Sequence, residues 1–188
     1  MRLRNILILL VILLALGGYF YFTNQSQPEP EPESEAQTHV WSIVPGSLQY
    51  IEILLPREGQ SQAFIKVQEA EDIFIWYFDD PQRSSIDERR WGGITTLLSG
   101  PGAYRVIAEN AAEEKLAVFG LVQPQMEITL TLEGGETLNI KIGDSTPDGH
   151  AYYVKAPGSN DVATVDYSWY EVIERLVKEP PYAPPTAD

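Results

Sequence analysis

Between Ile128 and Ile142 the chain alternates apolar and polar side chains twice, with two glycines between the runs. Ile128, Leu130 and Leu132 interleave with Thr129 and Thr131, and Leu138, Ile140 and Ile142 alternate back after Gly134-Gly135. A period of two places one face of each run in a core, and adjacent glycines accept the positive φ angles of a tight reversal, so this stretch predicts an antiparallel hairpin. Two further strands, Ala151 to Lys155 and Asp161 to Val165, are joined by Pro157-Gly158-Ser159-Asn160, which extends the hairpin to a four-stranded meander. A helix starting at Ser168, boxed by Glu171, then sets Trp169, Val172, Ile173, Leu176 and Val177 on one side, a stripe that needs a sheet to cover.

The preceding half repeats this logic. Ile51, Ile53 and Leu55 share a strand face, Pro56 and Gly59 turn the chain into Ala63 to Val67, and Ile73 to Phe78 follows. That third run is apolar on both faces and predicts a buried central strand. Ser85 and Glu88 have capping-box spacing before a helix carrying Trp91, Ile94, Leu97 and Leu98, which Gly100-Pro101 ends. A strand from Tyr104 to Ala108 leads to Asn110, spaced to cap a short helix with Glu113 and closed by Gly120. The fold class is therefore α+β with antiparallel sheets. Each half reads as strands followed by a covering helix, the pattern of a diverged duplication.

Ahead of this domain, Arg2 and Arg4 precede an uncharged run from Asn5 to Ser26 with an apolar core from Ile6 to Phe22. As a helix those residues cover roughly 26 Å, close to a bilayer's hydrocarbon thickness. Ala15-Leu16-Gly17 has the small-x-small form of a signal-peptide cleavage site, but the long run and the Tyr19 to Phe22 aromatic belt favour a retained anchor. Basic residues before the span and four glutamates soon after it place the amino terminus in the cytoplasm and the rest outside. The expected organisation is a transmembrane anchor over 1–22, a Pro/Glu-rich stalk over 23–38, an α+β extracytoplasmic domain over 39–178 and an unstructured Pro-rich tail over 179–188.

Composition removes several functions. With 27 acidic and 13 basic side chains the net charge is −14, unlike a nucleic-acid binder, which needs cations to displace counterions from phosphates. Zero cysteines exclude disulfides, thiolate metal sites and a thiol nucleophile. No G-x-S-x-G elbow, P-loop, dinucleotide fingerprint or H-E-x-x-H spacing occurs. His39 adjoins the stalk and His150 sits in a turn, so no catalytic residue and no cofactor is assigned.

Two places retain chemistry. Asp144 and Asp148, within Gly143 to Gly149, are hard oxygen donors of the kind calcium accepts, yet the segment lacks the EF-hand order and its bidentate glutamate. A strand-joining turn in which both aspartates bond their own backbone is the favoured reading. Trp76, Tyr77, Tyr152 and Tyr153 stand on strands, where sequence neighbours face opposite sides, so one of each pair is a candidate partner surface.

The run Phe119-Gly120-Leu121, Pro124, Ile128 to Leu132, Gly135, Ile142-Gly143-Asp144, Thr146 to Gly149, Tyr152-Tyr153-Val154, Gly158-Ser159 and Val162 resembles the bacterial family known as domain of unknown function 4340. The likeness is clear from about Tyr104 to Lys178 and loose before that. Phe119 and Val122 stand where the usual pattern reads Tyr-Gly-Leu-Asp. The resemblance implies a single-span anchor and, for some relatives, association with gliding-motility transporters of the ABC class, and it supplies no catalytic residue. Two functions follow as expectations. The first is a membrane-tethered, non-catalytic binding or scaffold module of an envelope or transport assembly. The alternative is a carbohydrate- or wall-polymer-active protein using carboxylates and aromatics.

Overall fold

Alternation and glycine turns generate one continuous sheet. In a computed structural model of the chain, residues 39–102 and 105–184 are described, together with Leu13 and Leu16. The expected span from Ile6 to Phe22 and the stalk lie outside them, apart from those two leucines. Among the described residues no helix is long and apolar enough to cross a membrane.

The strands are β1 (Leu48–Leu55), β2 (Gln60–Ala70), β3 (Ile73–Phe78), β4 (Arg105–Ala108), β5 (Met126–Leu132), β6 (Thr137–Ser145), β7 (Ala151–Lys155) and β8 (Val162–Asp166). They form a single eight-stranded sheet in the order β3-β2-β1-β5-β6-β7-β8-β4, and every pairing is antiparallel. The meanders β1-β2-β3 and β5-β6-β7-β8 meet along the β1–β5 pair, where Ile51 lies opposite Leu130 and Ile53 opposite Ile128. Because side-chain direction alternates strictly, this register puts every one of those side chains on the same face. All four are buried.

Among the described residues four α-helices flank the sheet: α1 (Glu88–Trp91), α2 (Ile94–Leu98), α3 (Glu113–Val118) and α4 (Tyr167–Lys178). α4 buries Trp169, Tyr170, Ile173, Leu176 and Val177 in the main core. The Trp169 indole N–H donates to the Leu97 carbonyl at 3.0 Å and Trp41 donates to the Leu98 carbonyl at 2.9 Å. Two tryptophans thus satisfy carbonyls at the end of α2 that a helix terminus leaves without partners. On the opposite face α3 covers a smaller cluster of Ala111, Leu121 and Val162.

Five expectations are corrected. β3 is an edge strand, not a central one, with Ile73, Phe74 and Ile75 exposed. A run apolar on both faces meets the description of a doubly covered strand, but here one end of the sheet simply lacks a further full strand. The helix expected from Ser85 is broken in two, because Gly93 takes a φ of 85° between α1 and α2, and its cap is Asp87, which accepts the Arg89 N–H. Asn110 does not cap α3. It adopts a φ of 46° and its N–H donates to Asp161 Oδ1, while Ala112 precedes the helix. Asp166, not Ser168, caps α4, and the buried face of the helix includes Tyr170 while Val172 is 37% exposed. The carboxy-terminal segment, expected to be unstructured from Glu179, docks through Ala183. Pro181 accepts the Asp87 N–H, Tyr182 bridges Ile86, and its ring stacks on Phe78 at 4.1 Å. Residues 185–188 lie outside the described set.

Candidate functional site

The edge of β3 carries the two aromatics expected to present a partner surface. The Asp79 N–H donates inward to Ala63 of β2 and the Phe78 N–H donates outward to Ser84. Hydrogen-bonding direction alternates along an antiparallel strand, so Ile75 and Tyr77 bond β2 while Phe74 and Trp76 turn their peptide groups to the outer edge. Beyond Tyr77 that edge is occupied, since Ser85 bridges Tyr77 and Tyr182 bridges Ile86. Alongside the strand runs a groove of about 420 Å³ lined by Phe74, Ile75, Trp76 and Tyr77 and walled by Ile86 and Trp91. Trp76 and Trp91 pack with centroids 5.5 Å apart, and Trp91 rests on buried Phe64 at 4.6 Å, so the floor is rigid and apolar. Lys66 holds its ammonium 4.9 Å above the Phe74 ring while donating to the Gly46 carbonyl.

Tyr152 and Tyr153 do not join this surface. They stand on β7, five strand spacings from β3, about 24 Å at ~4.8 Å each. Tyr152 stacks on Tyr170 at 3.9 Å. Burial first, then the charge of Glu174, pushes the Tyr170 phenol far above its ordinary pKa. Tyr153, on the other face, packs against Phe119 at 4.6 Å. It also lines a pocket of about 260 Å³ with Arg105, Thr146, Asp148 and Thr164.

The two aspartates of the Gly143 to Gly149 segment separate. Asp144 accepts from Arg57 at 2.9 Å and Gln125 at 3.2 Å. Its backbone N–H donates to the Phe119 carbonyl at 2.9 Å. Asp148 accepts from the Thr146 hydroxyl and the His150 N–H, and those bonds hold its carboxyl below the usual carboxylate range. Asp148 therefore serves its own turn, whereas Asp144 bonds across to other elements. Among the described residues no three His, Cys, Asp or Glu side chains gather as a metal site.

Gly120 and Gly143 explain why this junction is so closely specified. Gly120, at φ 71°, ends α3 with its N–H on Ala117 and the Leu121 N–H on Leu116, the paired bonds of a left-handed helix stop. A Cβ on Gly120 would lie 2.5 Å from the Asp144 carboxyl, and one on Gly143 would lie 2.0 Å from the Phe119 carbonyl oxygen. The residues that carry the family likeness here dock α3 on β6.

The other wall of the β3 groove, Ile86 and Trp91, carries no sequence signal, because only the fold brings those residues alongside β3. Sequence reasoning also missed a pocket of about 260 Å³ where His39 meets Glu109, Asn110 and Asp161. Those groups lie 70, 71 and 122 residues from His39, with no spacing that connects them.

A family model described as "Domain of unknown function (DUF4340)" matches residues 76–176, reaching back from the clear likeness after Tyr104 to Trp76 on β3. No curated protein and no solved structure matches the chain.

Proposed function

The chain belongs to that family of unknown function, and from this premise we propose that it is a non-catalytic binding or scaffold module serving an envelope or transport assembly. The apolar run from Ile6 to Phe22 tethers it to the cytoplasmic membrane as a single-pass anchor, and the domain faces the periplasmic or outer side. The observation that carries the proposal is the open edge of β3, where Ile73 and Phe74 are 52% and 50% exposed beside a groove walled by Trp76, Trp91 and Ile86. An apolar strand edge exposed to water is an aggregation hazard unless a partner covers it. The test is purification of the full-length chain from gently solubilised native membranes. A partner in fixed stoichiometry that cross-links to a photoreactive residue at Ile75 is expected, and a chain that elutes alone with no such adduct defeats the proposal.

We also read the two meanders as a diverged duplication. β1-β2-β3 and β5-β6-β7 run outward in opposite directions from the central β1–β5 pair, as a two-fold axis through that pair requires. A helix follows β3 directly, and another follows the second meander after one further strand, β8.

One feature favours the alternative of a polymer-binding protein. The pocket that Tyr153 lines is also lined by Arg105, Thr146 and Asp148, residue types that suit sugar hydroxyls. Binding of wall oligosaccharides that is lost in Tyr153→Ala supports this reading, and no binding removes it.

A further inference from the structure

Natural sheet edges are kept short, charged or covered, because their unpaired N–H and C=O groups recruit any extended chain. The outer edge of β3 from Ile73 to Trp76 has no charged residue, and Ile73, Phe74 and Ile75 are 52%, 50% and 37% exposed. The same strand already receives extended chain at its other end, where Ser85 bridges Tyr77 and the Tyr182 segment adds beyond it. Strand addition is therefore a contact this edge makes within its own chain.

Charge decides what extends it. Glu69, Glu71 and Asp72 stand at one end of the open stretch, Asp79 and Asp80 at the other and Glu88 lines the groove, so these six carboxylates outnumber the two cations at the edge, Lys66 over Phe74 and Arg83 beside Tyr77. If two copies paired antiparallel through β3, the acidic end of each would lie against the acidic end of the other, in chains that each carry −14. Like charges directly opposite across strands destabilise a pair. Opposite charges at both ends stabilise one.

Resting on the binding-module reading above, we infer that Ile73–Trp76 is a strand-addition site for an extended segment of a different protein, apolar at alternate positions and flanked by lysine or arginine. Its backbone pairs with the outward N–H and C=O of Phe74 and with the outward N–H of Trp76, whose carbonyl is taken by Ile86 in the Tyr77–Ser85 bridge. Side chains on one face enter the groove beside Trp76 and Trp91, and those on the other lie along Ile73 and Ile75. The flanking cations meet the carboxylates at either end.

The experiment uses the full-length chain and two fluorescein-labelled peptides, Lys-Lys-Val-Thr-Val-Thr-Val-Lys-Lys and the same sequence with Glu in place of every Lys, read by anisotropy. The lysine-flanked peptide is expected to bind at least about tenfold more tightly, with affinity that falls as salt rises. Phe74→Pro removes an outward N–H without touching a bond to β2 and should abolish binding. Because proline at 74 risks the local fold, Glu71→Lys with Asp72→Asn provides a second arm that alters only exposed carboxylates, asparagine being tolerated at the φ of 61° that Asp72 adopts, and it should weaken the lysine peptide about tenfold. Equal affinity for the two peptides, no binding of either at millimolar concentration, or unchanged affinity in both variants overturns the inference. A dimer in sedimentation equilibrium that Ile75→Lys dissolves overturns it in favour of a second copy. In each of those cases a stoichiometric complex from native membranes still supports the module reading, so the two fail separately.

Discussion

Gly120 and Gly143 are the positions where a single methyl group should matter most. At Gly143 the added carbon would lie 2.0 Å from a backbone oxygen, which no side-chain rotation relieves. At Gly120 the obstacle is the Asp144 carboxyl, a movable group whose bond to Arg57 is half exposed and worth at most about 1 kcal/mol, plus the strain of a positive φ. Gly143→Ala is therefore expected to cost about 3 kcal/mol or more and Gly120→Ala about 1 to 2 kcal/mol in denaturant melts. The reverse order would mean that the α3–β6 junction yields more easily than this geometry allows. Acid sensitivity also resides in single residues. Hydrogen bonds from Ser168 hold the Asp166 carboxyl below its ordinary pKa, and bonds from Thr146 and Ser84 do the same for Asp148 and Asp80. A carboxyl whose folded pKa is depressed contributes stability above the unfolded value near 4, and that contribution is lost as pH falls through the folded value. Thermal stability should thus fall below about pH 4. Asp166→Asn should flatten that fall while keeping the cap, whereas Asp166→Ala should cost about 1 kcal/mol even at neutral pH.

The last helix and the segment after it act as one clamp on the sheet. Trp169 is buried, meets Trp41 edge-on at 5.9 Å and holds the Leu97 carbonyl. Trp169→Ala should cost about 3 to 5 kcal/mol, and a change under about 1 kcal/mol in urea unfolding would contradict that packing. The chain after Lys178 should matter as well, because Tyr182 covers Phe78 and Arg90 donates to the Glu179 and Pro180 carbonyls. A chain ending at Lys178 should melt at least about 1 kcal/mol less stable than one ending at Pro184, with Phe78 newly wetted. These elements also show what sequence can convey. The β5–β8 meander was readable because each strand turns directly into its neighbour, and local alternation plus Gly134-Gly135 determines the pairing. The docked tail was not readable, since four prolines and no periodicity look alike whether the segment floats or lies in a groove. Tyr170 was missed because the apolar stripe was drawn through Val172, although Tyr170 is spaced i, i+3, i+7 with Ile173 and Val177 and shares their buried face.

Strand order is a property of the whole chain, and it limits how far the candidate site could be read. Trp76 and Tyr77 were marked by their chemistry, but both are half-buried, and the exposed side chains of the strand are Ile73, Phe74 and Ile75, an exposure that follows from β3 standing at the end of the sheet. That placement in turn follows from β1 pairing with β5 across some 75 residues. No local pattern encodes that pairing, whereas the bonding of Asp148 within its turn was legible from the turn residues alone. Charge is a second global property and it determines how calcium must be tested. A chain of −14 repels itself, so any divalent cation raises its melting temperature somewhat by screening, with or without a site. Asp144 is engaged with Arg57 and Gln125, and Asp148 with Thr146 and His150, so neither aspartate is held ready for an ion. Millimolar calcium should therefore raise the melting temperature no more than the same concentration of magnesium, and Asp144→Asn with Asp148→Asn should leave that small rise in place. A specific site filled at a hundredfold excess over its Kd would instead contribute about 2.7 kcal/mol, several degrees in a domain of this size. A calcium-specific rise of that size that vanishes in the double variant would show that the turn gives up its internal bonds to bind the ion.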